Sequence, residues 1–235
     1  MQIKAVYDLT HRIRPEMYHP DGSPMFEAYE THDVEGCSSS RISTTLHLGT
    51  HLDSPWHFYS RGISMGEVAA DRLVGPGLVV DVSAKYGPQQ GKNLGISAPD
   101  LQAAVQATGQ PLEPDDIIVV HTGWHHLFTS EPERYYKEFS TLSAEAGAWL
   151  AEQRVKLVAV DCCDADDKRY FATKPFRPPN HSVNFFPNGI LVCENVGGDV
   201  DQILGMKLLV VAGSLPILGV HGNASPMRLL ALDLA

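Results

Sequence analysis

Short aliphatic runs separated by helix-start signals are the feature that most constrains the fold of this chain. Each run has the length of one strand, is rich in β-branched or aliphatic residues, and is bounded by Gly, Pro or Asp. The runs are residues 42–48, 77–82, 117–121, 156–160, 189–193 and 208–212. Helical patterns lie between them: Ser97 with Asp100 forms a capping box before one, and Ser143 caps another. This alternation predicts an α/β fold.

The N-terminal part of the chain has a different pattern. It is richer in turn formers and polar β-branched residues, which is typical of antiparallel β structure. We therefore expect a mixed sheet, with the strand order left open. Because 235 residues can bury a full core and no long Pro-, Gly- or Ser-rich linker interrupts them, residues 1–235 are predicted to form a single domain.

Charge and cysteine usage restrict the partners and the compartment. The net charge of −10 argues against nucleic acid or an anionic membrane surface as the main partner. A small-molecule substrate is the expected partner. The N-terminus lacks the apolar region of a signal peptide, and the most apolar stretch, residues 203–220, is interrupted by charged, Gly and Pro residues. No cysteine has CxxC spacing, so free thiols in a reducing compartment, and hence a cytoplasmic location, are predicted.

Four side chains that bind metals or transfer protons fall close together in the stretch 43-STTLHLGTHLDSPWHFY-59. They are His47, His51, Asp53 and His57. A helix would place the first two on one face, but the threonines, glycine and proline of the stretch disfavour a helix. In an extended segment, positions 47, 51 and 53 share one side. The spacing therefore favours a site on an extended chain.

Two imidazoles and one carboxylate suit Zn²⁺ or Mn²⁺, and the lack of a thiolate argues against a closed structural zinc site. Gly49 would leave room for an ion and a substrate on the ligand side. Pro55 would turn the chain so that His57 returns towards the same site. Hydrogen-bonded loop histidines are the simpler alternative, but this number of ligands at this spacing favours a catalytic metal site.

The stretch from His47 to His57 also resembles the HxGTHxDxPxH signature of the metal-dependent cyclase hydrolase family, which includes bacterial kynurenine formamidase and isatin hydrolase. Residues 116–124 (DIIVVHTGW), 189–196 (GILVCENV) and 222–228 (GNASPMR) are similar to further elements of that family. The resemblance implies an α/β domain of the swivelling β/β/α type. It also implies hydrolysis of an amide bond in an aryl formamide or a cyclic amide, by a homodimer or homotetramer.

The resemblance assigns roles residue by residue. It implies five ligands for one or two ions of Zn²⁺ or Mn²⁺, with Asp53 shared between two sites: His47, His51, Asp53, His181 and Glu194. His57 would transfer protons. Tyr18 would line the substrate pocket, at a position where kynurenine formamidases tend to have a tryptophan.

Other interpretations remain open from the sequence. A lyase or dehydratase of the same family, a hydrolase of another cyclic amide or ester, and a metal- or ligand-binding protein without turnover would all need these ligands. A nucleophilic serine mechanism is disfavoured because no GxSxG occurs. The acidic stretch 161-DCCDADDKR-169 is expected to be a solvated turn, and the adjacent His125 and His126 are not expected to face one site. His121, Asp161 and His221 receive no assigned role.

Overall fold

The computed structural model describes residues 2–172 and 174–235. Its strands are β1 (Ile3–Asp8), β2 (Met25–Glu30), β3 (Ser39–Ser43), β4 (His51–Asp53), β5 (Val74–Asp81), β6 (Gly95–Ile96), β7 (Ile117–His121), β8 (Thr141–Leu142), β9 (Leu157–Val160), β10 (Leu191–Glu194), β11 (Lys207–Ser214) and β12 (Ala224–Leu234). Its α-helices are α1 (His32–Glu35), α2 (Ser83–Tyr86), α3 (Ala98–Ala107), α4 (Leu127–Ser130), α5 (Pro132–Glu138) and α6 (Ala144–Glu152).

The main sheet closes on itself to form a barrel. Its eight strands follow the order β1-β12-β11-β5-β7-β9-β10-β4, and β4 also pairs with β12. The strands β5, β7, β9 and β10 are parallel to one another. The strands β1, β4, β11 and β12 run antiparallel to every strand with which they pair. The mixed-sheet α/β prediction is confirmed, and β1 extends the sheet outside the closed ring of strands.

Alternate residues of the parallel strands pack into two separate cores. Ile118 and Val120 of β7 pack with the helices outside the barrel, together with Leu150 of α6. Ile117 and Val119 of the same strand pack into the barrel interior with residues from β9, β11 and β12. Because both faces of these strands are buried, their sequences are continuous aliphatic runs rather than alternating ones.

The two longest helices begin at the serines that the sequence indicates. The hydroxyl oxygen of Ser97 accepts a hydrogen bond from the backbone N–H of Asp100, at 3.3 Å, and Ser143 accepts one from Ala146, at 3.1 Å. These bonds satisfy amide groups that the first helical turn leaves without a partner. Among the helices in the described part of the chain, none has both the length and the apolar character that a membrane span requires.

Replacing Ser143 with alanine is expected to lower the free energy of unfolding by about 1 kcal/mol, the usual effect of losing an N-cap. The measurement is the shift of the urea midpoint at unchanged slope. Ser60→Ala is the matched control, because Ser60 is exposed and its hydroxyl makes no hydrogen bond to any residue that the structure describes. Equal midpoints for the two variants would contradict the capping role.

The predicted strand at residues 42–48 is wrong. The strand β3 ends at Ser43, and residues 44–50 form a turn in which Gly49 has a φ of +59°. A side chain at Gly49 would also lie 3.3 Å from Met17 Cε. Glycine is therefore needed for the backbone conformation of this turn, and not for keeping space open on the ligand side of a strand.

Candidate metal centre

The two parts of the predicted site meet where β4 pairs with β10. In this antiparallel pairing His51 lies opposite Glu194, and Asp53 lies opposite Val192. His181 is carried by a π-helix, Asn180–Phe185, that packs against β10. The register of the sheet therefore brings together residues that are far apart in the sequence.

The carboxylates of Asp53 and Glu194 lie among three imidazoles. Asp53 Oδ1 is 3.0 Å from His47 Nδ1 and 3.4 Å from His51 Nε2. Asp53 Oδ2 is 3.7 Å from His181 Nε2. Glu194 has the same arrangement, with Oε2 3.4 Å from His51 Nε2 and Oε1 3.5 Å from His181 Nε2. Each carboxylate thus presents one oxygen to His51 and the other to His181, and all five residues predicted as ligands come together.

The imidazoles of His51 and His181 are oriented by hydrogen bonds on their far sides. His51 Nδ1 donates to the backbone carbonyl of Gly49, at 2.8 Å, and His181 Nδ1 donates to Asp166 Oδ2, at 2.7 Å. Because a carbonyl or carboxylate oxygen accepts the Nδ1 proton, each Nε2 keeps its lone pair for the centre. The hydrogen bonds therefore select the tautomer that binds a metal.

Buried atoms without partners test whether a cation fits this centre. Among the described residues, His47 Nε2, Asp53 Oδ1 and His181 Nε2 are buried and make no hydrogen bond. An unsatisfied buried polar atom costs about 1–3 kcal/mol, and cations held at the two oxygens of Asp53 would satisfy both Asp53 Oδ1 and His181 Nε2. Imidazole nitrogens with carboxylate oxygens are also the ligands that divalent transition ions accept. The residues present therefore fit a divalent cation.

The charge balance of the centre also favours a cation. Burial alone would raise the pKa of Asp53, but the imidazoles of His47, His57 and His51 hold it well below its usual range. Burial alone would lower the pKa of His51, but Asp53 and Glu194 raise it to about 10. Without a metal, protons supply the positive charge that the two carboxylates require. A divalent cation must displace those protons, so its affinity should rise with pH.

Replacing Asp166 with asparagine is expected to weaken metal binding by about 10–100-fold, the usual effect of losing the residue that orients a histidine ligand. Asp166 is fully buried, and it also accepts hydrogen bonds from the backbone amides of Asn180 and His181, each at 2.9 Å. The affinity is measured by competition with a chromogenic chelator. Asp167→Asn is the control, because Asp167 instead caps a turn through Arg169 N, at 2.8 Å. Equal affinities for the two variants would exclude the orienting role.

His57 lies at the edge of the centre, in the turn that begins at Pro55. Its ring is 4.3 Å from the ring of His47 and 6.5 Å from that of His181. Burial lowers the pKa of His57 to about 4, against the opposing effect of Asp53. The imidazole is therefore neutral at neutral pH and able to accept a proton. A ring nitrogen of His57 is also close enough to His47 and Asp53 for the three residues to share an ion. The geometry therefore allows His57 to act as a proton carrier or as a metal ligand.

A cavity of about 630 Å³ opens above the ligands. Its walls are largely aromatic: Phe58, Tyr136, Phe139, Phe171 and Phe176. From the N-terminal loop, His19, Pro20 and Asp21 contribute to the lining. Tyr18 instead packs against the ring of Tyr136, with 5.7 Å between centroids. The prediction that Tyr18 contacts a substrate therefore stays a prediction, whereas its neighbour His19 does line the cavity.

The acidic stretch at residues 161–169 is not the solvated turn that the sequence suggested. Asp164 and Lys168 line the cavity, and Asp166 orients His181. These carboxylates directly follow a buried strand, and that position could have indicated a functional site. An exposed turn at the same position would have the same kind of sequence, so the sequence alone does not separate the two. Asp161 and His121 lie outside the centre, where they contact each other and a different set of histidines.

A family model described as "Putative cyclase" matches residues 7–167. Kynurenine formamidase from Bordetella pertussis is 26% identical over 237 residues, which cover 99% of this chain and 100% of that protein. Kynurenine formamidase from Bacillus cereus strain ATCC 14579 is 26% identical over 192 residues, covering 80% of this chain and 77% of that protein.

Similar folds occur among solved structures. Isatin hydrolase A from Ralstonia solanacearum superposes with a TM-score of 0.84 at 22% identity, over 98% of this chain and 92% of that one. An isatin hydrolase bound to the product analogue thioisatinate superposes with a TM-score of 0.83 at 19% identity, over 97% and 92% of the two chains. At these identities the likeness establishes the fold.

Proposed function

This chain belongs to the cyclase family, and on that basis we propose that it is a metal-dependent hydrolase of an amide bond in an aryl formamide or a cyclic amide. One observation carries the proposal: Asp53 and Glu194 each face His51 with one oxygen and His181 with the other, at the floor of an aromatic cavity. The names of the kynurenine formamidase and isatin hydrolase relatives support the same substrate class.

We propose that His47, His51, Asp53, His181 and Glu194 hold one or two ions of Zn²⁺ or Mn²⁺. Asp53 is the shared ligand, because its two oxygens face different histidines. When bound, such an ion lowers the pKa of water to about 7 and polarises a carbonyl group.

The side chains around the centre supply the remaining chemistry. His57, neutral at neutral pH, accepts a proton from water at its free ring nitrogen and delivers it to the leaving nitrogen of the amide. The rings of Phe58, Phe171 and Phe176 exclude bulk water and provide flat apolar contacts for a planar aromatic substrate. Asp166 holds the proton of His181 on Nδ1 throughout the reaction, so His181 does not transfer it. The proton that moves between water and the leaving nitrogen is therefore carried by His57.

Two rival functions use the same ligands. A lyase or dehydratase, or a hydrolase of another cyclic amide or ester, would need a cavity that suits a different substrate. A binding protein without turnover would need no proton carrier. The neutral, half-buried imidazole of His57 beside the centre favours catalysis over binding alone.

We also propose that residues 1–235 work as one domain in a cytoplasmic homodimer or homotetramer. Barrel closure supports the single domain, because β4 near the N-terminus pairs with β12 at the C-terminus. The free cysteines agree with a reducing compartment. Exposed apolar side chains on the β2–β3 hairpin, such as Met25 and Tyr29, are in keeping with a subunit contact.

The substrate class is tested by turnover of the metal-loaded protein on N-formylkynurenine and on isatin, with an ester of similar size as a third substrate. Formation of kynurenine or of isatinate supports the amide assignment. Hydrolysis of the ester with no turnover of either amide would overturn the substrate class while leaving the metal centre in place.

A further inference from the structure

A second group of histidines lies outside the metal centre, and we refer to it as the histidine cluster: His121, His125, His126 and Asp201. His121 ends β7, and His125 with His126 lies in the turn Trp124–His126 that follows it. Asp201 comes from a separate short helix, Val200–Ile203. None of these four residues lines the 630 Å³ cavity above the metal centre. The proposed function therefore gives them no role.

The three imidazoles converge on one carboxylate. Asp201 Oδ1 is 3.1 Å from His121 Nε2. Asp201 Oδ2 is 3.3 Å from His125 Nε2 and 2.9 Å from His126 Nε2. The adjacent His125 and His126 therefore do face one site, contrary to the prediction, because the tight turn that carries them is neither a strand nor an α-helix. His125, His126 and Asp201 have ligand atoms close enough to share one ion, and His121 Nε2 faces the other oxygen of the same carboxylate.

Two of the imidazoles are oriented from behind by other carboxylates. His121 Nδ1 donates to Asp81 Oδ1, at 2.9 Å, and His125 Nδ1 donates to Asp161 Oδ2, at 3.1 Å. Asp161 is itself held by the backbone amide of Gly123, at 2.7 Å. With a proton on Nδ1 of both rings, the Nε2 atoms that face Asp201 are the ones that an ion can bind, in place of any proton that His125 Nε2 shares with Asp201. This is the carboxylate–histidine arrangement that prepares a metal ligand.

One atom of the histidine cluster is buried and without a partner. His121 is only 3% exposed, and its Nε2 makes no hydrogen bond within the part of the chain that the structure describes, although Asp201 is close. Asp201 and His126, in contrast, have 45% and 57% of their side chains exposed. A buried nitrogen faces a carboxylate that solvent reaches, so an ion has both a vacant ligand and a path of entry.

The barrel provides a rigid frame for this arrangement. Asp81 and His121 are paired residues at the carboxyl ends of the adjacent parallel strands β5 and β7, and Asp161 directly follows β9. Loops at the carboxyl ends of parallel strands commonly form binding sites. Glu194 of the metal centre ends the next strand, β10. The same edge of the sheet therefore carries two groups of ligands.

We propose that the histidine cluster is a second metal site, which binds one Zn²⁺-class ion through His121 Nε2, His125 Nε2, His126 Nε2 and the carboxylate of Asp201. Three imidazoles and one carboxylate match the four-coordinate preference of Zn²⁺. Nitrogen ligands in this number disfavour Mg²⁺ and Ca²⁺, which prefer oxygen. The ion would fix the segment after β7 to the helix Val200–Ile203, and this role is independent of the proposed function.

The test compares metal content in the wild-type protein and in the double variant His126→Ala/Asp201→Asn. Both side chains are largely exposed, so the variant should fold, and its far-UV circular dichroism is compared with wild type. His221→Ala is the control for losing one exposed histidine. After loading with Zn²⁺ and desalting, elemental analysis should find one equivalent less in the double variant than in either the wild type or the control. Equal content in all three proteins overturns the proposal.

A spectroscopic measurement distinguishes a bound metal ion from protonated histidines that are only ion-paired to carboxylates. On titration of metal-free protein with Co²⁺, the wild type should show an additional visible absorption of a four-coordinate ion that the double variant lacks. The wild-type melting temperature should also rise further with Zn²⁺ than that of the double variant, because a ligand bound only to the folded state stabilises it. Identical spectra and identical shifts would leave the cluster as ion-paired histidines and contradict the proposal.

Discussion

Replacing Asp53 with asparagine is expected to abolish metal binding at the centre and reduce hydrolysis to background. Asp53 is buried, and its two oxygens face three different imidazoles. An amide nitrogen in place of one oxygen removes the negative charge and cannot coordinate a cation. The centre would then offer a single carboxylate, that of Glu194, for the positive charge of an ion and its neighbouring histidines.

Elemental analysis and turnover on the same preparation check this result. Asp71→Asn is the matched control, because it removes an exposed carboxylate outside the cavity and should change neither quantity. Circular dichroism confirms that the variant folds, as expected for a neutral group of the same shape. An Asp53→Asn protein that keeps its full metal content would refute the shared-ligand assignment, whatever its activity.

Replacing His57 with alanine is expected to lower kcat by about 10²–10⁴-fold, the usual contribution of a general acid–base residue, while the metal content stays at the wild-type value. The reason is that the ring of His57 lies 4.3 Å from that of His47, at the edge of the centre, where it is neutral at neutral pH and able to take up a proton. KM should change much less than kcat, because the ring acts on the proton and not on the bound substrate.

The metal content of His57→Ala decides between its two open roles. If His57 is instead a ligand that shares an ion with His47 and Asp53, as its proximity also permits, metal content and kcat will fall together. Full activity in the variant would exclude both roles. His221→Ala serves as the control, since His221 is exposed on a surface turn. Added imidazole should restore part of the rate only if the missing function is proton transfer.

The parts of the fold that the sequence predicted well are those where local and tertiary preferences agree. The run at residues 117–121 coincides with β7, because both faces of that strand are buried and continuous aliphatic residues are required. Ser97 and Ser143 begin α3 and α6 because capping is a local interaction. Closure of the barrel was not predictable in this way, since it depends on β4, a strand of only 3 residues.

The five side chains that the sequence predicts as ligands lie together in the structure, although the prediction rested on partly incorrect geometry and their ligand role stays a prediction. The parity of positions 47, 51 and 53 assumed an extended chain, whereas His47 lies in the turn before β4 and reaches Asp53 from there. Asp166 was missed because its partner, His181, comes close only through the π-helix Asn180–Phe185. A contact of that kind depends on how distant segments pack, and the position of Asp166 soon after a buried strand does not show which residue it meets.

Removal and restoration of the metal is the most direct test of the metal-dependent hydrolase. The double variant His126→Ala/Asp201→Asn is stripped with a chelator and titrated with Zn²⁺ or Mn²⁺, and turnover of N-formylkynurenine and of isatin is followed against bound metal. We expect no turnover in the stripped protein, and a rise on at least one substrate that saturates when the centre is full. Undiminished turnover in protein shown by elemental analysis to be free of metal would contradict a metal-dependent mechanism.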